Sequence, residues 1–495
     1  MADSDTPDLP APPDEGTRPR IGTDEWVARH GERSERYAGR LGGLRRRADE
    51  LPWFAWLLAF VAVAALLPLV SDNEYAIRVG VDTLIYILLA LGLNVVVGWA
   101  GLLDLGFVAF FGFGAYLYAI LSSAQFDIHW PAIVTVPIVV AATALLGLLL
   151  GLSSRRLQGD YLAIVTLFFL QLFIVLVSNS DRLTLPFVGH PVDFTGSVNG
   201  IPNVDPFRLF GYEFISNTQY YLLALGVFAL VLSALYLVNE SRTGRAWRAL
   251  REDPLAAELL SMPVRRLKLL AFVFGAATAG LTGTLAAPLH TGVFPSDFDL
   301  PLLITVYAMV ILGGAGSLAG VTLGAIVINV ALEALTNPEH ARWLFYGLLL
   351  IAVLTLVRPW IWAAGVLVGT AALGIALQLL ADAVWDRGTA RGAPAGSDAV
   401  TRLVDSWVLL PGDPGTLVKL AYVGLVAGVL ALTLVRGRAR LLGLIPVLYL
   451  GAFVWENLLA FNPSITRLVL LGALLVALMN ARPQGLLGTP RVEIA

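Results

Sequence analysis

The sequence predicts an all-α polytopic membrane protein with about 11 to 14 membrane segments, some of them broken or re-entrant. Of its 495 residues, 57% are apolar and only 14% are Asp, Glu, Lys or Arg, whereas roughly a quarter of an average soluble protein is charged. The mean hydropathy is +0.76, and the apolar residues form continuous runs instead of the alternating pattern of barrel strands. This composition excludes a soluble enzyme and a disordered chain.

The first 50 residues precede the membrane segments and differ from them in kind. Residues 1–20 are rich in Asp, Pro and Thr, and residues 26–50 are highly charged, with three consecutive arginines near their end. Because no apolar run precedes this stretch, we expect that it is not a cleavable signal peptide. We expect a hydrophilic cytoplasmic tail over residues 1–50, and a regulatory or partner-docking role is the alternative.

The membrane segments follow in order. A helix needs roughly 20 apolar residues to cross about 30 Å of hydrocarbon, and fewer where it is broken or re-entrant. Loop 240–268 alone holds seven basic residues, whereas the loops on the other side carry acids such as Asp193, Asp205 and Asp297. The positive-inside rule therefore places both termini in the cytoplasm. The candidate segments are 53–70, 81–97, 99–121, 131–152, 161–179, 220–239, 269–290, 301–315, 318–335, 343–357, 361–382, 419–436, 441–460 and 467–481.

An internal repeat lies in the last third of the chain. Residues 341–359 and residues 465–483 each carry an arginine, then an apolar run, then Arg-Pro, so the body could end near residue 358. The predicted organisation has four parts. They are the tail 1–50, a membrane body 51–358 with a basic loop at 241–268, appended hydrophobic segments 359–464 with a Gly/Ala/Asp-rich loop at 386–416, and a last helix with a cytoplasmic tail at 465–495.

Several kinds of enzyme site are missing from the sequence. The 33 basic residues include only two lysines, Lys268 and Lys419, and neither follows the glycine that a phosphate-binding loop requires. The chain has no Cys, and its five His form no HExxH pair, which excludes thiol nucleophiles and a zincin site. The small net charge of −3 argues against a nucleic-acid partner. We therefore expect no catalytic residue, no metal site and no bound cofactor, and ATP, where it is used, is used by another chain.

The loop over residues 241–268 is the most informative hydrophilic segment. Asp253 before Pro254 predicts a helix N-cap followed by the proline favoured in the first turn. A short helix would follow and place Leu255 and Leu259 on one face. The loop is either an interfacial amphipathic helix with its arginines at the lipid headgroups, or a helix offered to the groove of a cytoplasmic partner.

Glycines interrupt two of the apolar runs, and one group surrounds an acidic residue, Asp104, at membrane depth. Small residues let helices pack closely, whereas irregular backbone within a membrane is tolerated where it lines a cavity. An intramembrane carboxylate is costly unless it faces water or a partner, although an interfacial position would relieve Asp104 of that cost. For Asn94, Thr166 and Gln171, helix–helix hydrogen bonding is the alternative role. The candidate residues of a substrate route are Asn94, Gly98, Gly101, Asp104, Gly106, Thr166, Gln171, Gly313, Gly314 and Gly316.

Ordered sequence blocks resemble those of the branched-chain amino acid permease family of ABC importers, in its M-type form. The blocks are residues 91–116 around Gly98-Trp99-Ala100-Gly101, Leu157-Gln158-Gly159-Asp160-Tyr161 with its continuation to 167, Thr195-Gly196 with Asn199-Gly200-Ile201, residues 244–253, Gly313-Gly314-Ala315-Gly316-Ser317, and the ending 482–488. The resemblance favours the partner-docking interpretation of the basic loop, which is similar to the EAA loop that contacts ATPases. The residues it implies for coupling are Gly244, Arg245, Trp247, Arg248, Arg251, Asp253, Leu255, Ala256, Ala257 and Leu259.

The resemblance implies a transmembrane subunit that translocates branched-chain, aliphatic amino acids across a bacterial-type plasma (inner) membrane. Besides membrane lipid, its implied partners are a homologous second permease subunit, two cytoplasmic ABC ATPase subunits, which use the ATP, and an extracytoplasmic solute-binding protein, for which the acid-bearing loop 180–219 is the natural contact. Urea, another small amide or another amino acid is the alternative substrate. An ion-coupled secondary transporter, from another class, would need paired carboxylates or His near mid-membrane. The acids placed roughly there are Asp82, Asp104, Glu333 and Glu456, and this alternative leaves the EAA-like loop unexplained.

Overall fold

The computed structural model describes most of the membrane body and part of the appended region. The described residues are 53–70, 73–123, 127–154, 159–180, 193–336, 342–343, 345–347, 349–350, 353–354, 357, 360–384, 407–409, 415–435, 438–459, 472 and 485–487. The predicted tail 1–50, most of loop 386–416 and most of residues 465–495 lie outside them, and so do both termini, whose cytoplasmic placement stays a prediction.

The chain divides into two compact units, residues 1–67 and 68–495. In the first unit, helix α1 spans Trp53–Ala65 and none of its residues is buried. The short helix α2 (Leu67–Val70) follows it. The apolar run predicted at 53–70 is therefore helical, with one non-helical residue between the two parts.

Helices dominate the second unit and confirm the predicted all-α polytopic class. Across both units, nine helical stretches among the described residues are long and apolar enough to cross a membrane, and three further apolar helices are shorter. The helices of the second unit are α3 (Glu74–Leu93), α4 (Phe107–Leu121), α5 (Ala132–Ser154), α6 (Asp160–Ser178), α7 (Asn217–Glu240), α8 (Arg242–Glu252), α9 (Pro254–Leu259), α10 (Val264–Leu289), α11 (Leu300–Gly313), α12 (Leu318–Ala334), α13 (Trp360–Val384), α14 (Gly415–Leu434) and α15 (Arg438–Val454).

Two boundaries differ from the sequence prediction. Helix α3 begins at Glu74, earlier than the predicted 81, because the Asn73 side chain caps it by accepting a hydrogen bond from the amide of Tyr75 at 3.0 Å. The run predicted at 99–121 is not one helix, because residues 100–106 are irregular and α4 begins only at Phe107. The prediction of broken segments is thus realised between α3 and α4.

Helix α10 forms the centre of the body and packs against α3, α4 and α5. Close approach to α4 depends on small residues: a Cβ at Gly283 would lie 2.6 Å from the carbonyl oxygen of Phe111. Glycine and other small residues let membrane helices come into backbone contact. The body is therefore held by tight packing around α10.

Three small antiparallel strand pairs lie at one end of the helices. Strand β1 (Ser122–Ser123) pairs with β2 (Ile128–His129), and β4 (Phe207–Leu209) pairs with β5 (Tyr212–Phe214). Strand β3 (Ile201–Pro202) pairs with β6 (Gly292–Val293), which follows the end of α10. Because α8 and α9 lie before the start of α10, these strands and the basic loop are at opposite ends of that helix.

An ion pair connects the appended helices to the body. Glu456, which follows α15 and is fully buried, pairs with Arg342 at 2.8 Å. The indole of the adjacent Trp455 stacks on the ring of Phe345 with centroids 4.2 Å apart. Glu456, a carboxylate that the ion-coupled alternative would require, is therefore engaged in structural packing. The domain boundary near residue 358 stays a prediction.

Candidate functional site

A break at the end of α3 brings together several of the predicted route residues. The helix continues as a π-helical turn over Asn94–Trp99. There the Asn94 side-chain oxygen accepts a hydrogen bond from the amide of Gly316 at 2.7 Å, and the Trp99 indole donates to the carbonyl of Gly316 at 3.1 Å. A Cβ at Gly98 would lie 2.6 Å from the same Gly316 amide. Glycine at 98 is thus needed for this contact between the two breaks.

The second break is the turn between α11 and α12. Gly314 and Gly316 have φ values of 104° and 98°, a region that side chains other than glycine rarely adopt. The turn ends at Ser317, whose hydroxyl caps α12 by accepting from the amide of Gly320 at 3.1 Å. The glycine cluster at 313–317 therefore changes the chain direction between two apolar helices.

The C-terminal residues 485–487 contact this second break. The amide of Leu486 donates to the carbonyl of Leu312 at 2.8 Å, and the amide of Leu487 donates to the carbonyl of Gly313 at 3.1 Å. The last carbonyls of a helix have no partner within the helix itself. The tail thus supplies the hydrogen bonds that the end of α11 lacks.

Arg251, near the end of α8, lies between the two breaks. Its Nη1 donates to the carbonyl of Gly98 and, at 3.2 Å, to the carbonyl of Ala315. A Cβ at Gly101, whose φ is 67°, would lie 2.8 Å from Cγ of Arg251. The basic loop is therefore joined by one guanidinium to both interrupted helices.

Trp247 is also directed inward. Its indole is fully buried, stacks on Trp99 with centroids 6.1 Å apart and meets Phe274 edge-on at 5.9 Å. Its Nε1 donates to the carbonyl of Leu267 at 2.8 Å. The sequence groups Trp247 with the partner-facing residues, but the structure places its side chain in the interior of the body.

Helix α9 is the part of the loop that presents apolar side chains outward. The Asp253 carboxylate accepts from the amides of Leu255 and Ala256 at 2.8 and 3.0 Å, so the N-cap interpretation of the Asp-Pro pair agrees with the structure. Leu255, Leu259 and Leu260 are 70%, 86% and 74% exposed. These three exposed leucines, at the end of the loop that carries the arginines, form a small apolar patch.

The remaining coupling residues support α8. Arg245 donates to the carbonyl of Glu240 at 2.7 Å, and Arg248 donates to the Asn239 side chain at 3.0 Å. Both arginines are exposed and tie α8 to the end of α7. Two other members of the predicted set are buried, Gly244 and Ala257.

Asp104 lies in the irregular segment that precedes α4. The side chain is fully buried, and its Oδ1 accepts a hydrogen bond from the amide of Gly106 at 2.9 Å. Its Oδ2 makes no hydrogen bond within the described part of the chain. A buried oxygen without a partner is energetically costly, so this carboxylate is a candidate for a role beyond packing.

Tyr307 and Thr166 hold the backbone around Asp104. The Tyr307 hydroxyl donates to the carbonyl of Asp104 at 2.7 Å and accepts from its amide at 3.1 Å, while the Thr166 hydroxyl accepts from the amide of Leu105 at 2.9 Å. Tyr307 precedes the end of α11 by six residues, about 9 Å along the axis. Tyr307 is not among the route residues predicted from the sequence, although its hydroxyl within the apolar run 301–315 is a usable signal.

Gln171 lies neither at the two helix breaks nor with the residues around Asp104. It lies on the exposed side of α6 with Phe168 and Val175, whereas Asp104 and Thr166 are buried. The structure thus divides the predicted route residues into the two helix breaks, the Asp104 cluster and an isolated glutamine.

Two further carboxylates that the ion-coupled alternative requires lie at the end of the body opposite the basic loop. Asp82 is 3.8 Å from Arg78 and 3.9 Å from His290, and all three side chains are partly exposed. Glu333 accepts a hydrogen bond from the hydroxyl of Tyr75. These acids therefore have polar neighbours at one end of their helices.

Comparisons with known proteins agree on one family. Residues 75–354 match the family described as branched-chain amino acid transport system / permease component. The chain is 34% identical over 325 residues to the high-affinity branched-chain amino acid transport system permease protein LivM of Salmonella typhimurium, covering 60% of this chain and 72% of that relative. LivM of Escherichia coli is 35% identical with the same coverage. LivH of Escherichia coli is 26% identical over 294 residues, which are 55% of this chain and 89% of the relative. No solved structure matches the chain.

Proposed function

This chain belongs to the branched-chain amino acid transport permease family, and from that membership we propose that it is the transmembrane subunit of an importer for branched-chain amino acids. It is a multi-pass inner-membrane protein. The observation that carries the proposal is the match over residues 75–354, because this range contains both helix breaks and the basic loop. In this role the chain forms half of the translocation route, and separate subunits bind and hydrolyse ATP.

Helix α9 is the proposed contact with an ATPase subunit. Leu255 and Leu259 of this helix and the adjacent Leu260 form an exposed apolar patch in a loop with exposed arginines, and an apolar helix face of this kind fits a hydrophobic groove on a partner. When the ATPases close on ATP, α9 and the attached α8 move with them. Movement of this loop then changes which side of the membrane the route opens to.

A homologous second permease subunit is the proposed neighbour of α6. Gln171 lies among exposed apolar side chains on this helix, and an amide exposed to hydrocarbon without a hydrogen bond is unfavourable. Placing this face toward the second subunit, or toward the route between the two subunits, gives the amide polar partners. The face of α6 that carries Gln171 is therefore proposed to contact protein or the route and not lipid.

The solute-binding protein is proposed to contact the end that carries the strand pairs. The β4–β5 hairpin is fixed by the Arg208–Glu213 ion pair at 2.8 Å and by stacking of Phe207 on Tyr118. Its tip presents Phe210, which is 85% exposed with a φ of 50°. This exposed aromatic tip lies in the loop 180–219, for which the family resemblance implies this contact.

The docking part of the proposal is tested by adding charge to the apolar patch. We expect the double variant Leu255→Asp and Leu259→Asp to accumulate in the membrane but to lose copurifying ATPase and amino acid uptake. The matched control is Ser261→Asp, an exposed neighbour with φ of 62°, since Asp tolerates this conformation. Retention of the ATPase and of uptake by the double variant would contradict the proposal.

A cross-linking experiment measures the same contact directly. Because the chain contains no Cys, Leu259→Cys provides one unique thiol for attachment of a photoactivatable cross-linker. We expect a covalent product with the ATPase subunit that depends on the reagent. If the Leu259→Cys variant retains uptake but its cross-linker reacts only with lipid, the placement of α9 at this interface is contradicted.

A further inference from the structure

Arg251 has a position that ATPase docking does not explain. We propose that it is a positioning residue, which transmits movement of α8 to the two interrupted helices. Its side chain is only partly exposed, and Nη1 donates to the carbonyls of Gly98 and Ala315. The inference rests on the proposed function, because it describes how the permease responds to its ATPases.

The chemistry of the two acceptors favours an arginine here. Gly98 lies at the end of the π-helical turn, where carbonyls carry partial negative charge and have no partner within the helix. Ala315 lies in the turn between α11 and α12, two residues beyond the end of α11. A guanidinium has several donors and a permanent charge, so it can bond both carbonyls at one point. When either break moves, the other follows.

Glycines make room for this side chain. A Cβ at Gly101 would lie 2.8 Å from Cγ of Arg251, and a Cβ at Gly316 would lie 2.7 Å from its Nη1. Both glycines have positive φ, 67° and 98°. These glycines, which the sequence indicates as route residues, thus form the socket for an arginine of the basic loop.

The same helix has a second contact with the α3 break. Trp247 precedes Arg251 by four residues, so both side chains lie on one face of α8. Trp247 stacks on Trp99, next to Gly98. Helix α8 therefore cannot shift without displacing the end of α3, and Arg251 extends that coupling to the α11–α12 turn.

Another arginine of α8 provides a contrast. Arg242, the first residue of the helix, is exposed and has no contact with either break in the described structure. Arg242→Gln is therefore a matched control, because it removes the same charge from the same helix at a position outside the predicted coupling set.

The test compares Arg251→Gln, Arg251→Lys and Arg242→Gln in the complete complex, with its ATPases, second permease subunit and binding protein. Complex yield, ATP hydrolysis and leucine uptake are measured on each preparation. For Arg251→Gln we expect an assembled complex whose uptake per ATP falls about tenfold or more, the factor expected from losing a charge-assisted hydrogen bond. The KM for uptake should change less than about twofold, because the binding site for the amino acid is not altered.

The conservative variant and the control complete the test. Arg251→Lys should recover part of the uptake per ATP, because an ammonium can still bond one of the carbonyls, and Arg242→Gln should match the wild type. If Arg251→Gln does not accumulate, the result for Arg251→Lys alone decides. Reduced uptake per ATP at normal ATP hydrolysis supports the proposal, and uptake per ATP equal to that of the wild type overturns it. Equal loss of ATPase binding and uptake, or equal effects of the glutamine substitutions at Arg251 and Arg242, would also overturn it. Wild-type complex without ATP-dependent uptake would instead refute the proposed function.

Discussion

Replacing Trp247 by alanine should unfold the loop end of the subunit instead of only detaching a partner. The indole is fully buried between Trp99 and Phe274, and removing a buried tryptophan costs about 3 to 5 kcal/mol. The carbonyl of Leu267 also loses the indole donor at 2.8 Å, which adds about 1 kcal/mol. The free energy of unfolding should therefore fall by about 4 to 6 kcal/mol.

The assay is thermal unfolding of the purified subunit in detergent, followed as the folded fraction on size-exclusion chromatography. The matched comparison is Leu259→Ala, whose side chain is 86% exposed, so its effect on subunit stability should stay within about 0.5 kcal/mol. Trp247→Phe keeps an aromatic ring and should be intermediate. A wild-type melting temperature for Trp247→Ala, combined with loss of the ATPase, would refute the buried role and make Trp247 a docking residue.

Three further changes have expected outcomes. Gly98→Ala should separate the two breaks and reduce uptake, because its Cβ would lie 2.6 Å from the amide of Gly316. The control Gly226→Ala, with no atom within 4 Å of its Cβ, should retain uptake. Equal uptake by the two variants would contradict the need for glycine at position 98. Leu487→Pro removes an amide that donates to the carbonyl of Gly313 at the end of α11 at 3.1 Å. It should lower the melting temperature more than Leu487→Ala does. The reverse order would mean that the side chain contributes more to stability than the hydrogen bond. Glu456→Gln breaks a buried ion pair and should lower the free energy of unfolding by about 3 to 5 kcal/mol. Glu213→Gln breaks a partly exposed ion pair and should lower it by less than about 1 kcal/mol. Equal melting temperatures of the two variants would contradict this difference.

Features set by neighbouring residues were predictable from the sequence. The Asp253–Pro254 pair determines where α9 begins, because the cap needs only a side-chain oxygen and the next amides. The apolar runs likewise located most membrane helices, since lipid requires each one to satisfy its own backbone. The apolar run does not indicate the early start of α3, because the first turns include charged residues, Glu74 and Arg78.

Features set by distant contacts were not predictable. Trp247 and Arg251 occur in a charged, amphipathic stretch that indicates a surface helix, yet their partners Trp99 and Gly98 lie about 150 positions earlier in the chain. Hydrophobic periodicity carries no information about such pairs. The tail around Leu486 was attributed to a cytoplasmic end, and only the structure brings it to Leu312.

The most direct test of the central proposal is leucine uptake into proteoliposomes that contain this chain and the subunits that copurify with it, together with its binding protein. We expect uptake to require ATP on the ATPase side and the binding protein on the other side, and to be outcompeted by isoleucine and valine but not by urea. Uptake driven by an ion gradient without ATP, or competition by urea alone, would contradict the proposal.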